Sequence, residues 1–475
     1  MKPAPRPHRK LLALCDDPAG HTGFARVARN ILQRVHAADL FQEIWVWGIG
    51  YEGWPHLLPF KICRATPHHI SWRHGENVRD FLSLLEEDFT HAWMLQDTFA
   101  ISAFAEEFRQ ICRRHAITSA LYFPVDAPLE PEWTRALAAV DVPVAYCDYG
   151  LHEARQALAL PLKKNGAPPR QNMGRAMLEE FRLQRARARA GEKLRTIAHG
   201  VDGEIYKALP AEERARIRRE LFGGAVSERD FLILNVNSHQ RRKGLLQTLQ
   251  VFKQLQEMLP ERSLKLYMHM PQINATQGTD LGVIAAQLGL RAGDVFFAHG
   301  FFYPGRNPLS EQGLNELYNA ADLLLTTSYG EGWGLPLTEA MAAGVPVAGP
   351  RHTSIAELLA EGRGLLFATS GMDVVETDNN RLRPRTDVRD AAEQIARALT
   401  ADAQSPDSLA AFARRGTAWA RSDFLNWDRI AREWMDAFFA LAAKPCPPKP
   451  PAKKRRRDIV TIGEAEEFQK PQPQP

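Results

Sequence analysis

Short apolar runs and amphipathic stretches alternate along this chain from its first residues. KLLALCDD (10–17) reads as a buried strand. In TGFARVARNILQRV (22–35), Phe24, Val27, Ile31 and Val35 recur on one side at helical spacing. Further apolar runs at 43–50, 91–98, 117–126, 142–148 and 194–200 predict strands, with helical stretches between most of them. Continuously apolar strands separated by helices predict a parallel sheet covered on both faces. The pattern then restarts. AEERARIRRELFGG (211–224) predicts a basic helix, FLILNVNSH (231–239) a strand and GLLQTLQVFKQLQEML (244–259) a helix. Runs at 263–270, 294–300, 322–328, 345–349 and 364–367 continue the strands. The fold class is therefore α/β, with two doubly wound Rossmann-like domains at 1–205 and 206–421.

SDFLNWDRIAREWMDAFFALAA (422–443) predicts one long amphipathic helix, with Phe424, Trp427, Ile430, Trp434, Phe438 and Leu441 as its apolar stripe. Residues 444–475 are rich in proline, lysine and arginine; such a stretch buries no core and reads as a disordered tail.

Composition narrows the class. Two domains suit 475 residues, and 45% hydrophobic with 24% charged residues is ordinary for a globular protein. A net charge of +4 does not by itself call for nucleic acid or an anionic membrane. The five cysteines are scattered with no CxxC pair, which fits a reducing cytoplasm. LLAL (11–14) is too short for a signal-peptide core, and no run approaches the length that spans a bilayer. The expected location is cytoplasmic, with peripheral contact at the inner membrane face as an extension.

The richest chemistry lies in SYGEGWGLPLTEAMAAGVPVAGP (328–350). Glu331 and Glu339 flank seven residues that begin with a glycine-rich turn. Such a loop leaves the carboxyl end of a predicted strand, where open sheets bind ligands. Gly332 and Gly334 let backbone approach a ligand, Pro336 suits a first helical turn and Gly344 suits its stop. N–H groups at the helix start make an anion site suited to a diphosphate. Taken alone, Glu339 reads first as a dipole-complementing acid and Glu331 as a solvated loop acid; the full string places the pieces together.

This string resembles the E-x7-E signature of retaining GT-B glycosyltransferases, most closely the nucleotide-sugar-dependent family numbered four. IAHGVDGEIY (197–206), NVNSHQRRKGLLQTLQVF (235–252), GLNELYNAADLLLTTS (313–328) and HTSIAELLAEGRGLLF (352–367), with Glu357, resemble other segments of that family. The resemblance implies a GT-B fold, two domains facing a cleft, with the C-terminal helix crossing back to the first domain. It implies a hexose moved, with retention, from a nucleotide diphosphate sugar to an acceptor bound by the first domain, a glycan, glycolipid or other lipid-linked acceptor. Glu331 would hold the donor sugar, the backbone of Gly332, Trp333, Gly334 and Leu335 the diphosphate, and Glu339 the ribose. Lys243 and Arg242 would neutralise the departing phosphate, His299 would lie in the base pocket, and Gly20 and Gly23 of GHTG would approach the diphosphate and acceptor. No cofactor beyond the donor substrate and no metal is implied; the chain has no D-x-D and no G-xxxx-G-K-[ST] loop.

Two departures stand out. The family often places an arginine five residues before the lysine, where this chain has Ser238. The family histidine after the fifth strand is absent: YFPVDAP has Val125 before Asp126, leaving Asp126 as a candidate acceptor-site acid or a turn cap. Those departures keep a non-catalytic nucleotide-sugar-binding protein as a rival. PHHISWRHG gathers His68, His69 and His74, but no well-spaced cysteine or acid joins them, and solvated loop histidines are the reading. The cations of 163–195, Arg182, Arg185, Arg187, Arg189 and Lys193 among them, predict either a solvated face or a surface for an anionic partner: lipid head groups, a phosphorylated glycan or nucleic acid, including DNA as acceptor.

Overall fold

The computed structural model describes residues 9–64, 76–163, 173–298, 309–375 and 380–442. His68, His69, His74, His299 and the 444–475 tail lie outside the described residues.

Strand Lys10–Asp16 has its five middle residues buried, because the sheet it enters is covered on both faces. It pairs in parallel with Glu43–Ile49 on one side and His91–Leu95 on the other. The full seven-stranded order is Lys61–Arg64, Glu43–Ile49, Lys10–Asp16, His91–Leu95, Thr118–Phe123, Val142–Ala145 and Arg195–Thr196. The second sheet has six parallel strands, ordered Val295–Phe297, Leu264–His269, Phe231–Val236, Leu323–Leu325, Val347–Pro350 and Leu365–Phe367. In each sheet the winding reverses beside the first strand in sequence. Those reversals put Asp17–Thr22, Asn237–Gly244 and Thr326–Gly334 at the switch points, where doubly wound sheets bind ligands.

The two carboxyl edges face each other, giving the GT-B arrangement. Gly332 of the second domain lies against Pro124 of the first, and a Cβ there would sit 2.5 Å from the proline Cβ. Any larger residue would force the domains apart at this point.

The C-terminal segment does cross back to the first sheet, but not as one long helix. A short turn, Asp423–Leu425, precedes an α-helix at Trp427–Trp434 and a π-helical turn at Met435–Phe439. The helix starts afresh at Asn426, whose side chain accepts from the N–H groups of Asp428 and Arg429. The wider π turn lets two successive residues, Phe438 and Phe439, both be buried. Phe424 and Leu441, placed on the apolar stripe by spacing, are instead exposed. Trp434 meets the Trp93 ring at 5.7 Å and the Tyr122 ring at 4.9 Å. Arg9, just before the first strand, donates to the carbonyls of Phe439 and Leu441.

Among the described residues, three elements have no counterpart in the sequence expectations, the smallest being an antiparallel pair of Ile273–Asn274 with Thr279–Asp280. Lys61–Arg64 adds a short edge strand. Thr369–Val375 and Arg381–Thr386 form an antiparallel hairpin after the last strand of the second sheet.

Candidate active site

The loop after Leu323–Leu325 is held from both sides. Gly334 caps helix Leu335–Ala342 at φ 104°, a backbone state that favours glycine. The Ser354 hydroxyl donates to the carbonyls of Glu331 (2.8 Å) and Trp333 (2.7 Å). The Glu331 N–H donates to Thr353 Oγ1 at 3.2 Å. Thr353 adopts φ 50°, a rare left-handed state for a β-branched residue, so local strain is held where the loop is pinned.

Two charge clusters lie on this loop and its helix. In the first, Lys243 Nζ meets both oxygens of Glu331, at 2.6 and 2.9 Å. Arg242 lies 3.9 Å from Glu331 and 3.4 Å from Asp126 of the first domain. Arg383, from the hairpin, donates to the carboxylate of Asp126 at 3.0 Å and to its carbonyl. Burial works against the Glu331 carboxylate, but Lys243 and then Arg242 outweigh it and hold its pKa below the usual value. Asp126 is lowered in the same way: burial opposes, and Arg242 and Arg383 prevail. Burial, then Arg242, pulls Lys243 below its usual range despite Glu331.

In the second cluster Glu339 is 3% exposed and both its oxygens are engaged. Arg26 of the first domain donates to Oε1 at 2.5 Å and Tyr318 donates to Oε2 at 2.8 Å. Burial pushes the Glu339 carboxyl up, and Arg26 only partly restores it. Arg26 sits one turn into helix Gly23–Ala37, directly after the GHTG loop. A Cβ on Gly23 would touch the Leu335 side chain at 3.4 Å, so this loop does abut the E-x7-E helix. Gly20 instead turns inward, its carbonyl accepting from Arg29.

The structure thus brings together Glu331, Lys243, Arg242, Asp126, Gly332, Trp333, Gly334, Leu335 and Gly23, with Glu339 one helical turn away. Arg241 is exposed beside them, whereas Arg242 faces the carboxylates. A small cavity of about 10 Å³ remains between Asn237, Thr326, Glu331, Gly334 and Pro336. Arg26, Arg383, Tyr318 and Thr353 were not singled out from sequence, since their partners are far away along the chain. Glu357 accepts from the N–H groups of Asp148 and Tyr149 at the start of helix Asp148–Ala159 in the first domain.

Among the described residues, the basic run of helix Met173–Lys193 does not line this cleft. Arg182, Arg185, Arg189 and Lys193 of helix Met173–Lys193 border a cavity of about 290 Å³ with Arg109 and Arg113. Ser119 and Asp141, at the amino ends of their strands, line it too, so it opens away from the carboxyl edge. Arg187 is not a surface cation: it is buried and donates to Thr134 Oγ1 and to the carbonyls of Ala157 and Leu160.

His199, from IAHGVDG, is buried between the domains, with its ring 5.3 Å from Trp333 and Nδ1 2.7 Å from Tyr122 Oη. Burial drives its pKa from 6.5 to about 3. The unfolded chain then binds a proton that the folded chain refuses. Stability from this group is present above pH 6.5 and is lost as pH falls from 6.5 toward about 3. Urea unfolding is expected to show a cost of ~2 kcal/mol from this residue between pH 6.5 and 5. The slope over that range should flatten in His199→Gln.

Residues 217–415 match the family model described as glycosyl transferases group 1. Over 145 residues the chain is 31% identical to the lipopolysaccharide glucosyltransferase WaaG of Escherichia coli, covering 30% of this chain and 34% of that one. Over 222 residues it is 27% identical to a D-inositol 3-phosphate glycosyltransferase of Corynebacterium efficiens, covering 44% of this chain and 49% of that one. The chain therefore spans between a third and a half of the length of these curated relatives. Its fold is similar to that of sucrose-phosphate synthase from Thermosynechococcus elongatus, with a TM-score of 0.62 at 16% identity over 90% of this chain and 98% of that one. It is equally similar to Anabaena HepE, solved with UDP-glucose, with a TM-score of 0.62 at 16% identity over 91% and 100%. Among the described residues no helix is long and apolar enough to cross a membrane.

Proposed function

We propose that this chain, a GT-B fold whose residues 217–415 are of the glycosyl transferases group 1 type, transfers a hexose from a nucleotide diphosphate sugar with retention. One observation carries the reading. Lys243, Arg242 and the glycine loop that starts helix Leu335–Ala342 converge at the switch point of the second sheet. That combination supplies positive charge and N–H donors where the charge of a leaving diphosphate develops.

Each residue has a task in this scheme. Glu331 holds hydroxyls of the transferred sugar, with Lys243 passing from the carboxylate to the phosphate as the donor enters. The backbone of Gly332 to Leu335 receives the diphosphate. Glu339 receives the ribose, which requires it to exchange its contact with Arg26. Gly23 lines the first-domain side. The bond from the anomeric carbon to the diphosphate oxygen breaks, and the acceptor oxygen bonds to that carbon on the same face. The acceptor proton passes to the departing phosphate oxygen, so no protein nucleophile is needed. A glycan or glycolipid hydroxyl is the acceptor class favoured here, in line with the name of the lipopolysaccharide glucosyltransferase, whereas the other curated relative's name points to a phosphorylated inositol.

The test is a thermal-shift panel of UDP-, GDP- and ADP-sugars, followed by assay of nucleotide release. The expected result is stabilisation by one donor class and slow release that requires Glu331. No shift with any donor sinks the proposal. Binding with no release or transfer across many acceptors favours the non-catalytic binding protein.

A further inference from the structure

The site carries a charge that its own domain's sheet does not supply. Among the described residues, the carboxylates of Asp126 and Glu331 face three cations: Arg242, Lys243 and Arg383. Lys243 and Glu331 form a close pair at 2.6 Å. Asp126 is shared between two guanidinium groups, and Arg383 is the nearer, at 3.0 Å against 3.4 Å for Arg242. Without Arg383 the cluster would balance, two cations against two carboxylates, with no positive excess for an entering diphosphate.

Arg383 is built in rather than solvated. It is only 2% exposed. It stands in strand Arg381–Thr386 directly opposite Asp373, whose carboxylate accepts from the Tyr329 hydroxyl at 2.7 Å. Two residues earlier on the same face, Arg381 reaches the Glu130 carboxylate and the Pro128 carbonyl of the first domain and lies over the Trp133 ring. The hairpin therefore fixes this guanidinium against the segment Asp126–Glu130. Ser238 occupies the position where the resembling family often has an arginine, so the near turn contributes only Arg242 and Lys243 at this place.

We propose that Arg383 is a positioning residue for the donor diphosphate: it takes the charge of Asp126, so that Arg242 can serve the phosphates. This rests on the donor-binding reading given above. Arg383 acts through Asp126 and does not touch the donor. The hairpin thereby joins Arg242 and the Arg26–Glu339 pair in linking the two domains electrostatically.

The test is calorimetric titration of the full chain with UDP, GDP and ADP, followed by variants with whichever binds. Arg383→Ala is expected to weaken binding about tenfold, the size of one lost charge contact. Adding Asp126→Asn to Arg383→Ala should restore affinity to within about threefold, because the carboxylate that captures Arg242 is then neutral. Arg383→Lys, which keeps the charge, should stay within about threefold and folds even if the alanine variant does not. Unchanged affinity in Arg383→Ala overturns the proposal. So does a double variant that stays as weak as the single one, which would make Arg383 a purely structural clasp. An unmodified chain that binds none of the three nucleotides overturns the donor reading itself, and the role of Arg383 with it.

Discussion

Replacing Glu331 with alanine is expected to slow release of sugar from the donor by about a hundredfold or more, as losing a group that acts in the transition state does. The change has a second effect, because the carboxylate is also the partner of a buried lysine. Lys243 would remain buried beside Arg242 with only the more distant Asp126 carboxylate near it, and breaking such a pair costs about 3–5 kcal/mol. A lysine can escape this by losing its proton. Its pKa in the folded chain already lies below 10.5 and falls further in the variant, so the unfolded chain binds the extra proton. The stability deficit is therefore full below the depressed value and shrinks as pH rises toward 10.5. Urea unfolding at pH 7 and pH 9.5 would record it. Glu331→Ala with Lys243→Met should regain most stability and none of the turnover. Full turnover in the single variant would remove Glu331 from the site.

Glu339→Ala leads to a different outcome, because its partner cannot discharge. Burial works against the Arg26 charge, yet Glu339 raises its pKa above an already high value. Removing the carboxylate leaves that guanidinium stranded between Tyr206 and Tyr318, with an expected loss of about 3–5 kcal/mol that no accessible pH relieves. An apolar double variant, Arg26→Met with Glu339→Leu, should recover most of this, since buried pairs add little over well-packed apolar groups. It should nonetheless fail to bind the nucleotide if Glu339 receives the ribose as proposed. Urea midpoints and nucleotide titration on both variants separate the two roles. Retained nucleotide affinity in the double variant would show that Glu339 serves only to join the domains.

Much of this architecture is legible in the chain, for reasons particular residues make plain. Leu11 to Cys15 or Leu232 to Leu234 are buried on both faces, so their strands read as unbroken apolar runs. The E-x7-E loop is legible because glycine, proline and flanking acids are rare in that density. The hairpin is illegible for the opposite reason. Its outward residues Met372, Val374 and Leu382 are apolar and exposed, while Arg381 and Arg383 point to the first domain. That reversal of the usual pattern makes sense only once the second domain meets the first. Arg26 and Glu339 are 313 positions apart, and no local spacing marks them as partners. In the C-terminal segment Trp427, Ile430, Trp434 and Phe438 follow the helical stripe, but Asn426 and the π turn decide where it begins and ends.

The contact of Trp434 and Phe439 with Trp93 and Tyr122 bears on the order of synthesis. The first sheet is translated early, yet the rings that cover Trp93 and Tyr122 leave the ribosome about three hundred residues later. Until then an aromatic face of the nascent first domain lacks its native cover. Arg9, too, cannot reach the carbonyls of Phe439 and Leu441 before that segment exists. A chain stopped before residue 427 should thus keep both sheets but carry a sticky aromatic surface, and it should engage chaperones or aggregate rather than rest as a smaller enzyme.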